Sequence, residues 1–372
     1  MPRRQRIARR RRWPIVLALL ALVLGGGWTW VWNAAVDKVE TTIAGWKARE
    51  ARSGRVYSCA SQSIGGFPFR IEVRCDTVGV ELKSIEPPVA LKAKDIVVTA
   101  AVFEPTVLAS EFTGPLTVGQ PGQAATIAVN WQQARSEVHG LPTSPERIVI
   151  GVDQPIVDDL AQRKRVFQAT RLDLRGRIVG GSARSNPVIA VALKLISASA
   201  PSLHPAAALP LDADINVVLT GLKDFGPKSW PARFREIQQA GGRIDVTRAR
   251  LQQGESIALA SGVLRISPRG RLDGELRVTV ANLEKLLPAL GLDKPTSPQA
   301  PGNKIGSALD RLAPGLGNLA RRNAGPALAM GLAFLGQPTE LEGKPAHALP
   351  LRFNDGKVTL GPFPLGETPP LF

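Results

Sequence analysis

Ser63-Ile64-Gly65-Gly66-Phe67-Pro68-Phe69-Arg70-Ile71-Glu72-Val73-Arg74-Cys75 holds two glycines and a proline, then a strict alternation of apolar and charged residues. A period of two is the signature of a strand with one face buried and one wetted. The Gly65-Gly66 pair opens onto a strand, with no helix behind it, so it lacks the setting of a phosphate cradle. Gly65, Gly66 and Pro68 therefore read as a structural turn, the bend of a hairpin. Gly supplies the unusual backbone angles and Pro68 starts the second arm.

The alternation continues outward. Val78, Val80 and Leu82 carry it on in shifted phase, which predicts a bulge or break near Thr77–Val78. Leu211–Leu219 and Leu276–Val280 alternate in the same way. Further strands are expected at Ile96–Phe103, Ala125–Asn130, Arg147–Val152, Val166–Leu174, Val188–Leu195, Ile244–Leu251, Ile257–Ile266 and Lys357–Leu360. One-sided alternation of this kind belongs to antiparallel sheets. The fold class expected is mainly β (α+β): an N-terminal transmembrane helix, then a large, curved, mostly antiparallel sheet with a few short helices.

The N-terminal segment sets the expected compartment. Residues 1–12 hold seven arginines and no acid, and the chain's net charge is +16, so +9 remains beyond them. Trp13–Trp32, WPIVLALLALVLGGGWTWVW, is free of charge. Its length matches a bilayer core of about 30 Å, and tryptophans stand at both ends, as they do at membrane interfaces. The positive-inside rule keeps the arginines in the cytoplasm and puts the rest of the chain in the periplasm, anchored in the inner membrane. A cleaved signal peptide is the competing reading, with Ile15–Leu24 as its apolar run and Gly25 and Gly27 near the cut. Asn33 can cap a stalk helix that carries Val36, Val39, Ile43 and Trp46 at helical spacing and stops at Gly54.

The organisation expected is a basic tail (1–12), a signal-anchor (13–32), a stalk helix (33–54), a β domain (55–290), a linker (291–303), a helical segment (304–336), and a C-terminal strand and tail packing back on the sheet (337–372). Ser229 is placed to cap a short helix over Trp230–Ala240, with Pro231 in its first turn and Gly241-Gly242 beyond it. Asn282–Leu290 is a second short candidate. Pro326–Leu335, PALAMGLAFL, is too short to span a bilayer. Its Leu328, Met330, Leu332 and Phe334 are candidates for a lid over a groove in the sheet.

Cys59 and Cys75 are the two cysteines, one on each side of the turn. In an oxidising compartment a disulfide between the hairpin arms is the expectation, given a bulge or wide loop; two buried thiols are the alternative.

Catalytic patterns are absent from the sequence. The three histidines, His139, His204 and His347, each lie within two residues of Gly or Pro and read as loop residues. There is no HExxH spacing, no GxSxG elbow and no Ser-x-x-Lys pair. Asp158-Asp159 read as turn or helix-start acids, and Arg163-Lys164-Arg165 as a solvated turn or a contact for anionic headgroups. No cofactor, no metal site and no catalytic residue is expected. The dispersed charge and the single tyrosine speak against nucleic acid.

SIGGFPFRIEVRC, and the closing LPLRFNDGKVTLGPFPLGETPPLF (Leu349–Phe372), resemble the bacterial family known only as domain of unknown function 2125. The matching elements are Gly66–Arg70 and Gly356–Gly366. The resemblance implies an N-terminal anchor and brings no known activity. Gly241–Leu290 also resembles the strand units of AsmA-like envelope proteins, with Gly262, Gly270 and Gly274 at its glycine positions and Ser267-Pro268 where those units have Asp. That resemblance implies a long open or partly wrapped sheet with a groove for lipid. The function expected is a non-enzymatic one in envelope maintenance or lipid contact; the alternative is a module binding an envelope protein through an exposed sheet edge.

Overall fold

The computed structural model describes residues 13–141, 144–202, 205–226, 228–282, 336–361 and 363–372. Apart from Asn282 and Gly336, the helices expected over 282–290 and 304–336, the linker, and the lid candidates Leu328, Met330, Leu332 and Phe334 lie outside the described residues.

Helix α1 runs from Trp13 to Arg52, unbroken. Asn33 is therefore inside a helix rather than at its start, and its Nδ2 donates to Thr29 O four residues back at 2.9 Å. No proline separates the apolar run from the amphipathic one, so one helix continues through both. Gly54, at φ 79°, terminates it. Among the described residues this is the one helix long and apolar enough to cross a membrane.

The strands follow as β1 (Arg55–Gly65), β2 (Arg70–Leu82), β3 (Val89–Ala101), β4 (Glu104–Thr113), β5 (Leu116–Gly119), β6 (Ile127–Asn130), β7 (Gln133–His139), β8 (Arg147–Asp153), β9 (Ile156–Asp159) and β10 (Lys164–Gln168). Then come β11 (Arg171–Ser182), β12 (Ser185–Ala198), β13 (Leu211–Leu219), helix α2 (Trp230–Gln239), β14 (Arg243–Gln253), β15 (Ser256–Ile266) and β16 (Leu272–Ala281). Beyond residue 335 lie β17 (Gln337–Leu341), β18 (Lys344–Asn354), β19 (Lys357–Leu360) and β20 (Phe363–Glu367). They make one open sheet in which every pairing is antiparallel. The chain is mostly β, as its alternation predicts, and most strands extend beyond the bounds read from periodicity.

A crease crosses the sheet. β4 and β5, β6 and β7, β8 and β9, and β10 and β11 are halves of long strands, parted at Gly114-Pro115, Trp131-Gln132, Gln154-Pro155 and Ala169-Thr170. The breaks are neighbours in the ladder: Phe112 faces Ala134 and Leu116 faces Val129, while Gln133 faces Asp153 and Asn130 faces Ile156. Pro115 and Pro155 have no N–H to give a ladder. Trp131 Nε1 donates to Phe112 O at 2.9 Å across the gap. The crease continues through β2 at Thr77, φ 51°, and through β12 at Ser197, φ 50°. The expected single strand Val166–Leu174 is thus two strands, because it crosses this line.

The hairpin β1–β2 turns over Gly66–Phe69, with Arg70 N donating to Gly66 O at 3.2 Å. The Phe67–Pro68 peptide is cis. Gly66 stands at φ 96°, and a Cβ there would lie 2.7 Å from Arg70 O. Gly65 has ordinary φ and nothing within 4 Å of such a Cβ, so the conformational demand falls on Gly66 alone. Cys59 and Cys75 are joined in a disulfide, with Cα atoms 5.7 Å apart.

Helix α1 lies along this hairpin. Trp28 Nε1 donates to Pro68 O at 3.0 Å, and the Trp32 ring meets Phe67 edge-on at 5.5 Å. Farther along, Trp46 packs on Tyr57 at 4.5 Å, and Lys83 N donates to Gly54 O at 2.8 Å. The helix is pinned to the hairpin at its tip, middle and base.

Candidate functional site: an apolar groove

Register carries the apolar residues of successive strands onto one face. Ile71 faces Ala100 and Val73 faces Val98; Ala100 then faces Leu108, and Leu108 faces Val138. The row continues through Ile148, Ile150 and Val152 of β8 to Leu172 and Leu174 of β11, and on to Leu193 and Leu195 of β12. It then runs through Ile215 and Val217 to Ala249, Val246, Ala260 and Val278, and ends on Leu349, Leu351 and Phe353. A one-residue slip in any pair would turn that strand's apolar set outward, so the pattern itself holds the register.

Burial along the face is uneven. Toward the C-terminal strands it is closed: Val246, Leu264 and Leu276 form a buried cluster with Leu351 and Phe353 packed on it, and Leu349 is 1% exposed. From β4 to β12 most of the equivalent residues are only half-buried, Ile148 is exposed, and of the row only the small Ala134 is buried. Between β8 and β12 the face holds a cleft of about 230 Å³, whose apolar walls are Ile148, Leu174, Ile178, Ile189, Val191 and Phe225. Fully burying one such side chain is worth about 1.5–3 kcal/mol, and here much of that is unspent.

The opposite face is charged along most of its length and carries one buried apolar cluster at its C-terminal end, Ile257, Ala281, Leu341 and Ala346. Arg135 faces Glu111 and pairs with it at 3.0 Å, Arg171 meets Asp153 at 2.8 Å, and Arg352 meets Glu275 at 2.8 Å. Each such exposed pair adds at most about 1 kcal/mol. Their clearer effect is to mark which face is wetted.

Phe225 is held at the end of the cleft by an ionic knot on α2. Ser229 caps this helix, as its sequence predicts, and Pro231 lies in the first turn. Glu236, buried, accepts from Lys223 N at 2.7 Å and from Arg233 Nη1 at 2.9 Å, and pairs with Lys228 Nζ. Burial pushes its carboxyl up, but the Lys223 N–H, Lys228 and Arg233 outweigh burial and bring it down to about 2. Arg233 also donates to Asp224 O at 2.7 Å, and Phe225 N donates to Ala183 O at 2.8 Å. The knot thus fixes the loop that presents Phe225. Ile237, Leu222 and Ile266 pack beneath it with Leu371 and Phe372. The glutamate's part is not visible in sequence, because its partners are a backbone amide and two cations brought together by the loop.

A second depression, of about 540 Å³, lies at the β9–β10 turn among Asp158, Asp159, Leu160, Arg163, Lys164 and Arg165. Asp159 ends a strand and accepts from Gln162 N at 2.8 Å, and Asp158 pairs with Arg165 at 3.2 Å. The acids are turn-closing groups on a strand end, not at a helix start, and they offset the basic run beside them.

Two histidines expected in loops lie on strands instead. His347 is in the middle of β18, opposite Val280 and Pro338, and His139 is the last residue of β7, paired with Glu137. The nearby Gly140, Pro345 and Pro350 made both resemble loop residues, but the ladder tolerates them. His204 lies outside the described residues. Among the described residues no group of three or more His, Cys, Asp or Glu is placed to hold a metal ion.

No curated protein and no solved structure matches the chain. A family model does match, over residues 32–369, which spans the hairpin, the creased sheet and the C-terminal strands: the chain belongs to the family described as uncharacterized protein conserved in bacteria (DUF2125).

Proposed function

We propose that this is a single-pass protein of the bacterial inner membrane, its N-terminus cytoplasmic and its sheet periplasmic, that shelters acyl chains on the apolar face of the sheet in envelope maintenance. The carrying observation is the half-buried row from Leu108 to Leu195 with its cleft between Ile148 and Val191. An apolar strip this long, left open on one side while the other side is charged, suits a ligand that is itself long and apolar. The uncharged half of α1 and the seven arginines before it support the anchor and its orientation. The disulfide supports an oxidising compartment. The groove is apolar and binds rather than reacts, so the reading is non-enzymatic, without cofactor or nucleic acid.

The test is native mass spectrometry of the full chain extracted from membranes, with lipid analysis of the released ligand. The expected result is co-purifying phospholipid that Leu174→Asp with Leu193→Asp abolishes. Absence of lipid from the unmodified chain, and no mass shift on adding it, would overturn the reading. Strand β20 is paired only to β19 among the described residues, which favours a second reading, strand addition by an envelope protein. A stoichiometric partner with no lipid would select that one.

A further inference from the structure

Three phenylalanines are gathered at the tip of the first hairpins. Phe67 is 51% exposed, Phe69 62% and Phe103 76%. Phe69 and Phe103 stack at 6.2 Å, and Val102 N donates to Phe69 O at 2.9 Å, which ties the β3–β4 turn to the β1–β2 turn. Water-facing aromatics in such a group signal a contact surface. Their position identifies the occupant. The tip is fastened to α1 at Trp28 and Trp32, through Pro68 O and the Phe67 ring. Those tryptophans close the uncharged segment Trp13–Trp32, where a spanning helix would leave the hydrocarbon.

Resting on the anchor reading above, we infer that Phe67, Phe69 and Phe103 form a second membrane contact, an aromatic wedge that enters the outer interface of the phospholipid bilayer beside α1. Arg70, the next residue, has a side chain 62% exposed and stands at headgroup level. Aromatic rings are suited to this boundary, half apolar and half wetted. The wedge gives the groove its entrance. β2 leaves the tip through Ile71 and Val73, the first members of the apolar face. A lipid taken at the wedge meets that face without crossing open water. The base of the same hairpin, at Lys83, lies beside Gly54. The helix end at Arg52, just before it, is about 36 Å along the helix from Trp28.

The experiment uses the full chain in phosphatidylcholine vesicles containing a headgroup-region spin-labelled lipid. An environment-sensitive fluorophore is placed on a single added cysteine: Val31→Cys in the helix, Phe103→Cys at the wedge, or Lys83→Cys at the base. Strong quenching is expected at 31 and 103, and none at 83. Quenching at 31 with none at 103 would overturn the wedge and leave the anchor standing. No quenching at 31 would overturn the anchor and the wedge together. Equal quenching at 103 and 83 would mean a sheet lying on the bilayer, which also overturns the wedge.

Discussion

Cys59 and Cys75 are bonded across the first hairpin although they do not face each other in its ladder: Cys59 is opposite Val78, and Cys75 is opposite Gln62. An offset of three residues on a straight ladder corresponds to about 10 Å along the strand. Their Cα atoms are 5.7 Å apart. The difference is taken up by the crease, where Thr77 at φ 51° bends β2 between the two positions. The disulfide therefore staples the crease, and the hairpin that carries the wedge is bent where the rest of the sheet is bent.

Replacing both cysteines by serine should cost about 3 kcal/mol, the chain-entropy value for a loop of this size. The local effect is more specific. Hydrogen exchange should quicken around Ala60 and Thr77, on the line of the crease, and remain slow in β14–β16. Thiol labelling of the denatured, unreduced wild-type chain should find no free thiol. Full labelling of both cysteines would contradict the bond.

The two glycines of the turn should behave differently. Gly66→Ala puts a Cβ 2.7 Å from Arg70 O at φ 96°, so it should lower the thermal midpoint by several degrees. Gly65→Ala meets nothing within 4 Å and should leave the midpoint unchanged or slightly raised. Calorimetry of the two variants measures this directly, and equal effects would mean that the turn is not built on Gly66.

What was legible in the sequence follows from what is local. The alternation of Ile71, Val73 and Cys75 and the Ser229 cap depend on neighbours within a turn or a strand, and both are found; the phase change at Thr77 is a kink at φ 51° in an unbroken strand of constant register, in place of the expected bulge or break. Strand Lys344–Asn354 has no clear signature in the sequence, because Pro345, His347 and Pro350 mask its alternation. The groove was legible only as an expectation. Its walls come from strands far apart in sequence, such as Ile148 and Val191, and register between distant strands is a non-local choice. Asn33 suits a helix cap in the sequence, yet the same side chain serves inside a helix by bonding back to Thr29 O, and only the helical chain on both sides decides between the two.

Glu236 makes the loop before α2 acid-sensitive. Its folded carboxyl titrates at about 2, below its ordinary value of 4.5. A depressed acid contributes stability that is fully present above the unfolded value and is lost as pH falls through the folded one. Stability should therefore decline between about pH 5 and pH 2, by up to about 3 kcal/mol from this group. Glu236→Gln should lose stability at pH 7 and flatten that part of the profile. Urea midpoints across the range are the measurement, and an unchanged slope in the variant would refute the assignment. Because Arg233 and Lys223 hold the loop that carries Phe225, the variant should also weaken lipid retention in the cleft.

Finally, the contrast between the closed and open parts of the apolar face predicts a contrast in mutational cost. Leu349 is 1% exposed and packed on every side, so Leu349→Ala should cost about 2–5 kcal/mol, the transfer of its atoms plus the cavity left behind. Leu193 lies on the same face, in the same register, but is half-buried. Without ligand, Leu193→Ala should cost about 1 kcal/mol, since little cavity forms where solvent already enters. With phospholipid bound the cost at Leu193 should rise toward that at Leu349, because the ligand completes the burial that the sheet leaves open. Denaturant midpoints of both variants, with and without added phospholipid, give the four values. Equal costs at the two positions in the lipid-free chain would mean that the face is closed along its whole length and that there is no groove to fill.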